Sequence, residues 1–102
     1  MNKKQYRQGD LLFVEVVETP PLTRRRDGVV IQTGEATGHS HRISSVDDAE
    51  IFEVDGGLFL SVGERGVSIV HEEHKPLSLP VGDYQVVRQR EYSPEAIRLV
   101  RD

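Results

Sequence analysis

The sequence predicts a mainly β protein, a small antiparallel barrel or sandwich with a short C-terminal helix. Apolar and polar residues alternate with a period of two along most of the chain, which is typical of half-buried strands. Turn residues interrupt this alternation at short intervals, as they do in all-β sandwiches and barrels. The chain has 102 residues, a length that suits one core. We therefore expect a single domain over 1–102, with 1–8 as a flexible start.

The strands are predicted from runs of β-forming residues between turns. The clearest hairpin turn is Asp55-Gly56-Gly57, because glycine accepts the positive φ that a tight turn needs. The segment 22–27, which holds Arg24-Arg25-Arg26, is predicted as a loop. The predicted strands cover 10–17, 28–33, 39–43, 51–54, 58–62, 67–71, 77–79 and 84–92.

The predicted helix covers 93–101 at the end of the chain. Ser93 is a good N-cap residue, and Pro94 suits the first helical position. Glu95 favours the positive end of the helix dipole. These three residues in this order indicate that a helix begins at Ser93.

Composition excludes several classes of protein. The chain has no cysteine, which rules out disulfides, thiolate metal sites and a cysteine nucleophile. A net charge of −4 argues against a protein that coats long duplex DNA, whereas a short or cyclic nucleotide needs only a few cations. No apolar run is long enough to span a membrane, and residues 1–5 contain no apolar signal core. We therefore expect a cytoplasmic protein with no membrane partner.

The four histidines lie in two short clusters, and these are the candidate site. His39 and His41 alternate along a predicted strand, so they point to the same face. His71 closes another predicted strand, and His74 follows it in a loop. Each cluster lies beside a turn, which favours a functional role over four unrelated surface histidines.

One chemistry open to these clusters is metal binding. Imidazoles are ligands of divalent transition metals, and a His-x-His pair on a β-barrel resembles the first half of a cupin site. The cupin glutamate is missing, because Ile43-Ser44-Ser45-Val46 stands in its place. The second cupin motif is also missing, because Pro80-Val81-Gly82 leads to Asp83-Tyr84 and not to a histidine. A cupin-like protein with His39, His41, His71 and His74 as metal ligands is therefore the alternative.

The other chemistry is acid–base catalysis on a phosphodiester, with no metal or other cofactor. One histidine accepts the proton of a 2′-hydroxyl, which attacks the phosphorus, and another protonates the departing 5′-oxygen. Nearby residues fit supporting roles: arginines offset the charge on the phosphoryl oxygens, a glycine-bracketed turn donates to phosphate, a tyrosine stacks on a base, and carboxylates orient the histidines. The arginines are Arg42, Arg88 and Arg90, and the turn contributes Thr37 and Gly38. The tyrosine is Tyr92, and the carboxylates are Glu72 and Glu73.

Four motifs together resemble a family of small bacterial and phage proteins. They are GEATGHSH at 34–41, HEEH at 71–74, GDY at 82–84 and QREYSP at 89–94. We associate this family with the small ring nucleases found near type III CRISPR systems. The resemblance implies a homodimer that degrades cyclic oligoadenylate without a metal and so ends an antiviral response. It assigns no residue roles, and those above come from the chemistry of the side chains.

The leading hypothesis is therefore a histidine-dependent phosphodiesterase, a ring nuclease that acts on cyclic oligoadenylate or short RNA. A homodimer suits a symmetric ring, because two equivalent sites face it across a two-fold axis. The alternatives are the cupin-like metalloprotein and a non-catalytic binding module of a phage or defence system.

Overall fold

The computed structural model describes residues 4–17, 24–33, 38–54 and 57–88. Within these ranges every regular element is a strand, which confirms the mainly β class. The predicted helix at 93–101 lies outside the described residues. The described part of the chain contains no helix of the length and apolarity that a membrane crossing requires. The strands are β1 Gln5–Gln8, β2 Leu11–Val16, β3 Arg24–Arg26, β4 Val30–Thr33, β5 Ser40–Ile43, β6 Ala49–Val54, β7 Gly57–Val62, β8 Val67–Val70, β9 Leu77–Leu79 and β10 Gly82–Arg88.

The strands form two antiparallel sheets. The larger sheet has six strands in the order β1-β2-β10-β7-β6-β3, and the smaller has four in the order β4-β5-β8-β9. β10 pairs with both β2 and β7, so the last described strand lies inside the larger sheet. The predicted hairpin is present as β6 and β7, and Val54 pairs with Gly57, which belongs to β7 and not to the turn.

One apolar core joins the two sheets. Leu11 and Phe13 on β2 and Tyr84 on β10 come from the larger sheet, and Ile69 on β8 comes from the smaller one. All four are at most 1 % exposed. Full burial of such side chains contributes about 1.5–3 kcal/mol each. The arrangement is that of a sandwich, in which inward-facing residues of both sheets share one interior.

The arginine run is a strand and not the predicted loop. Arg24–Arg26 forms β3 at the edge of the larger sheet and pairs with β6. Arg24 and Arg26 bond to Glu53 at 3.3 Å and 2.8 Å, and these two arginines lower the pKa of Glu53. Charged side chains are common on edge strands because they oppose aggregation. The prediction failed because the cross-strand carboxylates that pair with the arginines lie far along the chain.

The expected flexible start contains a strand. Gln5–Gln8 forms β1, which pairs with β2, and Gln8 is only 3 % exposed. Polar residues dominate β1 because it is an edge strand, so its sequence lacks an apolar alternation. Its last residue enters the space between the two sheets, where the histidines lie.

Candidate functional site

The two histidine clusters meet in space. β5 and β8 are antiparallel neighbours, and Arg42 pairs with Val70, so His71, the residue after β8, lies beside His41. The ring centroids of His41 and His71 are 4.4 Å apart. His71 also contacts His39 at 5.6 Å and His74 at 4.6 Å. The four rings form one group, with His71 at its centre.

The four histidines differ in their access to solvent. His41 is buried, with 2 % of its surface exposed. The side chain of His39 is 25 % exposed, His71 is half-buried, and His74 is exposed. His41 therefore lies beneath the other three, and its ring is nearly parallel to that of His74 at 6.1 Å.

Gln8 and Asp10 hold His41 from the opposite side of the sandwich. The Nδ1 atom of His41 is 2.8 Å from Oε1 of Gln8, and its Nε2 atom is 3.2 Å from Oδ1 of Asp10. Gln8 in turn donates from Nε2 to the carbonyl oxygens of Ile69 and Lys75, both at 2.8 Å. Sequence reasoning missed both residues. The signal was the polar tripeptide Gln8-Gly9-Asp10, which leads from the end of β1 into β2.

Burial and neighbours set the charges of this pair. Burial lowers the pKa of His41, the adjacent His71 and His74 lower it further, and Asp10 acts in the opposite direction. Burial raises the pKa of Asp10, but hydrogen bonds from Arg88 and His41 outweigh it and leave that pKa below its usual value. Asp10 is therefore a carboxylate at neutral pH.

Arg88, predicted to bind phosphate, reaches the cluster through Asp10. Its Nε donates to Oδ2 of Asp10 at 3.2 Å, while Oδ1 of the same carboxylate faces His41. The Arg88 side chain is largely buried, with 18 % exposed. Hydrogen bonds thus connect Arg88 on β10 to Asp10 in the turn after β1, and Asp10 to His41 on β5.

Glu72 attaches the loop after β8 to β5. Its Oε1 accepts from the backbone N–H of Ser40 at 2.9 Å, and its Oε2 accepts from Nη1 of Arg42 at 2.7 Å. Backbone N–H groups of Ser40 and Glu72, followed by the guanidinium of Arg42, lower the pKa of Glu72 to about 2. Arg42, predicted to bind phosphate, is thus paired with Glu72 in this structure, and the pair anchors the segment that carries His71.

Glu73 contacts two of the histidines. Its backbone N–H donates to Nδ1 of His71 at 3.0 Å. Its Oε1 is 3.7 Å from Nδ1 of His39. Because Nδ1 of His71 accepts a hydrogen bond, the neutral ring of His71 carries its proton on Nε2.

Gly9 allows His74 to lie against the turn between β1 and β2. A Cβ atom at Gly9 would lie 2.5 Å from Nε2 of His74, and the backbone has a φ of 59°. A side chain at this position would meet both a steric clash and backbone strain. The glycine therefore allows the ring of His74 to lie against this turn.

The remaining predicted residues contribute less to the described site. Gly38 is exposed, with a φ of 83°, and directly precedes His39. Thr37, Arg90 and Tyr92 lie outside the described residues. Among the described residues, no three or more histidine, aspartate and glutamate side chains have their donor atoms placed around one metal position.

Comparison with known proteins gives a family and no activity. No curated protein and no solved structure matches the chain. The family described as a domain of unknown function (DUF8820) matches residues 7–89, a span that includes all four histidines, Gln8, Asp10 and Arg88. The chain therefore belongs to this family of domains of unknown function.

Proposed function

We propose that the chain is a histidine-dependent phosphodiesterase that cleaves cyclic oligoadenylate or short RNA. The observation that carries the proposal is the single group formed by four imidazoles from two distant segments, three of which reach solvent. Imidazoles that stand side by side at a surface are suited to accept a proton and donate another in one reaction.

His71 is suited to the role of general acid. Its ring contacts the other three histidines, and it acts as the imidazolium, the form of histidine that donates a proton in general acid catalysis. His39, at 5.6 Å between ring centroids and partly exposed, is suited to the role of general base. His74 is exposed beside them, and His41 supports the group from beneath.

The proposed reaction balances without a metal or another reactant. His39 accepts the proton of the 2′-hydroxyl as the O2′–P bond forms. The P–O5′ bond breaks, and the imidazolium form of His71 donates a proton to the departing O5′ and becomes a neutral ring. The products are a 2′,3′-cyclic phosphate and a free 5′-hydroxyl.

Two arginines can offset charge on the phosphoryl oxygens. Arg88 uses its Nε on Asp10, and Arg42 uses its Nη1 on Glu72 and Ser40. A guanidinium has five N–H donors, so each arginine can bind a carboxylate and a phosphate together. The negative charge on the phosphoryl oxygens would then face fixed N–H donors at a site from which water is partly excluded.

The proposal is tested by incubating the untagged chain, in EDTA, with a panel of cyclic oligoadenylates and a short RNA. We expect ring opening to products that end in a 2′,3′-cyclic phosphate, and no cleavage of the 2′-deoxy analogues. Absence of turnover at enzyme excess would contradict the proposal and favour a non-catalytic binding module. Activity that EDTA abolishes, with stoichiometric metal in the purified chain, would favour a cupin-like metalloprotein.

The proposal extends to a cytoplasmic homodimer. A symmetric ring is matched by two equivalent sites across a two-fold axis. Light scattering coupled to size-exclusion chromatography should give twice the chain mass of 11.5 kDa. A monomer at working concentrations would contradict the dimer and leave the chemistry to be tested separately.

A further inference from the structure

Asp10 places a negative charge next to the guanidinium that the proposed function uses for phosphate. Its Oδ2 atom accepts from Nε of Arg88 at 3.2 Å, and its Oδ1 atom is 3.2 Å from Nε2 of His41. Because Nε of Arg88 is occupied, a phosphate on this arginine would use its Nη groups. The guanidinium is small and rigid, so the phosphorus in such a contact would lie about 7 Å from the carboxylate of Asp10.

The exposed histidines also lie close to this carboxylate. A Cβ atom added to Gly9, the residue before Asp10, would be 2.5 Å from Nε2 of His74. The ring of His74 is in turn 4.6 Å from that of His71 between centroids. Asp10 is 38 % exposed, so it faces the same solvent as these rings. A phosphate that contacts both the exposed histidines and Arg88 would therefore come close to Asp10.

The charges around the histidines leave little excess positive charge for a phosphate. Arg88 is paired with Asp10, and Arg42 is paired with Glu72. Glu73 adds a third carboxylate beside the rings. With the rings uncharged, these five side chains carry two positive and three negative charges. One imidazolium brings their sum to zero.

We infer that Asp10 determines specificity by charge, favouring phosphodiesters, which carry one negative charge, over terminal phosphates, which carry up to two. The inference rests on the proposed function and adds the feature of the substrate that the site distinguishes. A terminal phosphate carries about 1.5–2 negative charges at pH 7, because its second pKa is about 6. Its additional charge would be repelled by the carboxylate of Asp10. A cyclic oligoadenylate contains only diesters, whereas a linear one with a 5′-phosphate also carries the disfavoured group.

The test uses two ligands that differ by one methyl group and one charge. They are 2′-deoxyadenosine 3′-monophosphate and its methyl ester, which is a phosphodiester. Neither has a 2′-hydroxyl, so the proposed reaction cannot cleave them and binding is measured on its own. NMR titration of the untagged chain at pH 8 and low salt gives both affinities, under conditions where the monoester is doubly charged and screening is weak. The readout is the ratio of the two affinities, because a change that only moves Arg88 affects both ligands.

We expect the wild-type chain to bind the methyl ester at least as tightly as the monoester. Asp10→Asn keeps the shape of the side chain and removes its charge. It should raise the affinity for the monoester relative to the methyl ester by about 3–10-fold, the Coulomb effect of one charge at about 7 Å in a partly solvated site.

Two further variants serve as controls. Asp10→Glu keeps the charge and changes the geometry, so it should retain the wild-type ratio even where both affinities fall. Asp83→Asn removes a carboxylate about 17 Å from Arg88 along β10, given a rise of about 3.4 Å per residue, and should leave the ratio unchanged.

Three results would overturn the role of Asp10. They are an unchanged ratio in folded Asp10→Asn, a wild-type chain that prefers the monoester, and a wild-type chain that binds neither ligand. Circular dichroism establishes that each variant is folded, and the wild-type preference tests the inference even where a variant does not fold. None of these measurements needs turnover. A chain that opens the ring and shows no charge preference would therefore keep the proposed function and lose only this inference.

Discussion

At the scale of single residues, the site depends on the position of His71. Its ring contacts the other three histidines at centroid distances of 4.4–5.6 Å. In its neutral form the ring carries its proton on Nε2, because Nδ1 accepts the backbone N–H of Glu73. A residue whose ring contacts the other three histidines is the first one to substitute.

We expect His71→Gln to lower the rate of phosphodiester cleavage by about 10²–10⁴-fold, the usual scale for loss of a general acid. Single-turnover rates on the best cyclic oligoadenylate measure this effect. Asp83→Asn, outside the cluster, serves as the control. Unchanged rates in folded His71→Gln would remove the residue from the mechanism.

Gly9 offers a second test at this scale. We expect Gly9→Ala to destabilise the fold by about 1–2 kcal/mol through its positive φ, and further through the clash with His74. Gly38→Ala is the matched control, because Gly38 also has a positive φ but nothing lies within 4 Å of an added Cβ.

Adding His74→Ala to Gly9→Ala should recover the part of the loss that the clash causes, while the same addition to Gly38→Ala should recover nothing. Urea unfolding of the single and double variants gives the coupling. Equal losses at the two glycines, without coupling to His74, would contradict the observed approach.

At the scale of elements, the loop after β8 is held on β5 by one carboxylate. Glu72 accepts from Ser40 and Arg42 at 2.9 Å and 2.7 Å. This contact, together with the pairing of β5 and β8, holds the segment of His71 and His74 against β5. The contact between this loop and β5 should therefore depend on pH through the ionisation of Glu72.

The pKa of Glu72 predicts how stability changes with pH. Folding lowers this pKa from 4.5 to about 2, so the carboxylate stabilises the fold above pH 4.5 and loses its effect as pH falls towards 2. The stability difference between wild type and Glu72→Gln should therefore shrink over this range in urea unfolding at several pH values. A constant difference would show that Glu72 forms no such contact in solution.

At the scale of the whole molecule, Gln8 connects the two sheets. It ends β1 of the larger sheet and donates to Ile69 on β8 of the smaller sheet, as well as to Lys75 beyond it. The same side chain accepts from His41. One buried amide thus links the packing of the sandwich to the geometry of the site.

We expect Gln8→Ala to lower the free energy of unfolding by more than about 2 kcal/mol, because each buried carbonyl left without a donor costs about 1–3 kcal/mol. Gln85→Ala, at an exposed position on β10, should change it by less than about 0.5 kcal/mol. Denaturant unfolding compares the two variants. Similar small effects at both positions would show that Gln8 does not bridge the sheets.

Local sequence was sufficient for the mainly β class, for most strands and for the hairpin that β6 and β7 form. These features depend on alternation and turn chemistry, which operate over a few residues. Local sequence also singled out the histidines, because His39 and His41 share a strand period. It missed β3 and β1, whose polar residues are stabilised by partners across the sheet.

Long-range packing brings the two histidine clusters together, buries His41 beneath the others, and adds Gln8 and Asp10 to the site. Gln8 and Asp10 lie more than 30 positions from His41, and Ile69 lies 61 from Gln8. Hydrogen bonds over such separations follow from how the sheets stack, and no short-range pattern encodes that stacking. Local sequence thus singled out the four histidines, whereas the stacking of the two sheets decided that they meet and which nitrogen of His41 faces Gln8.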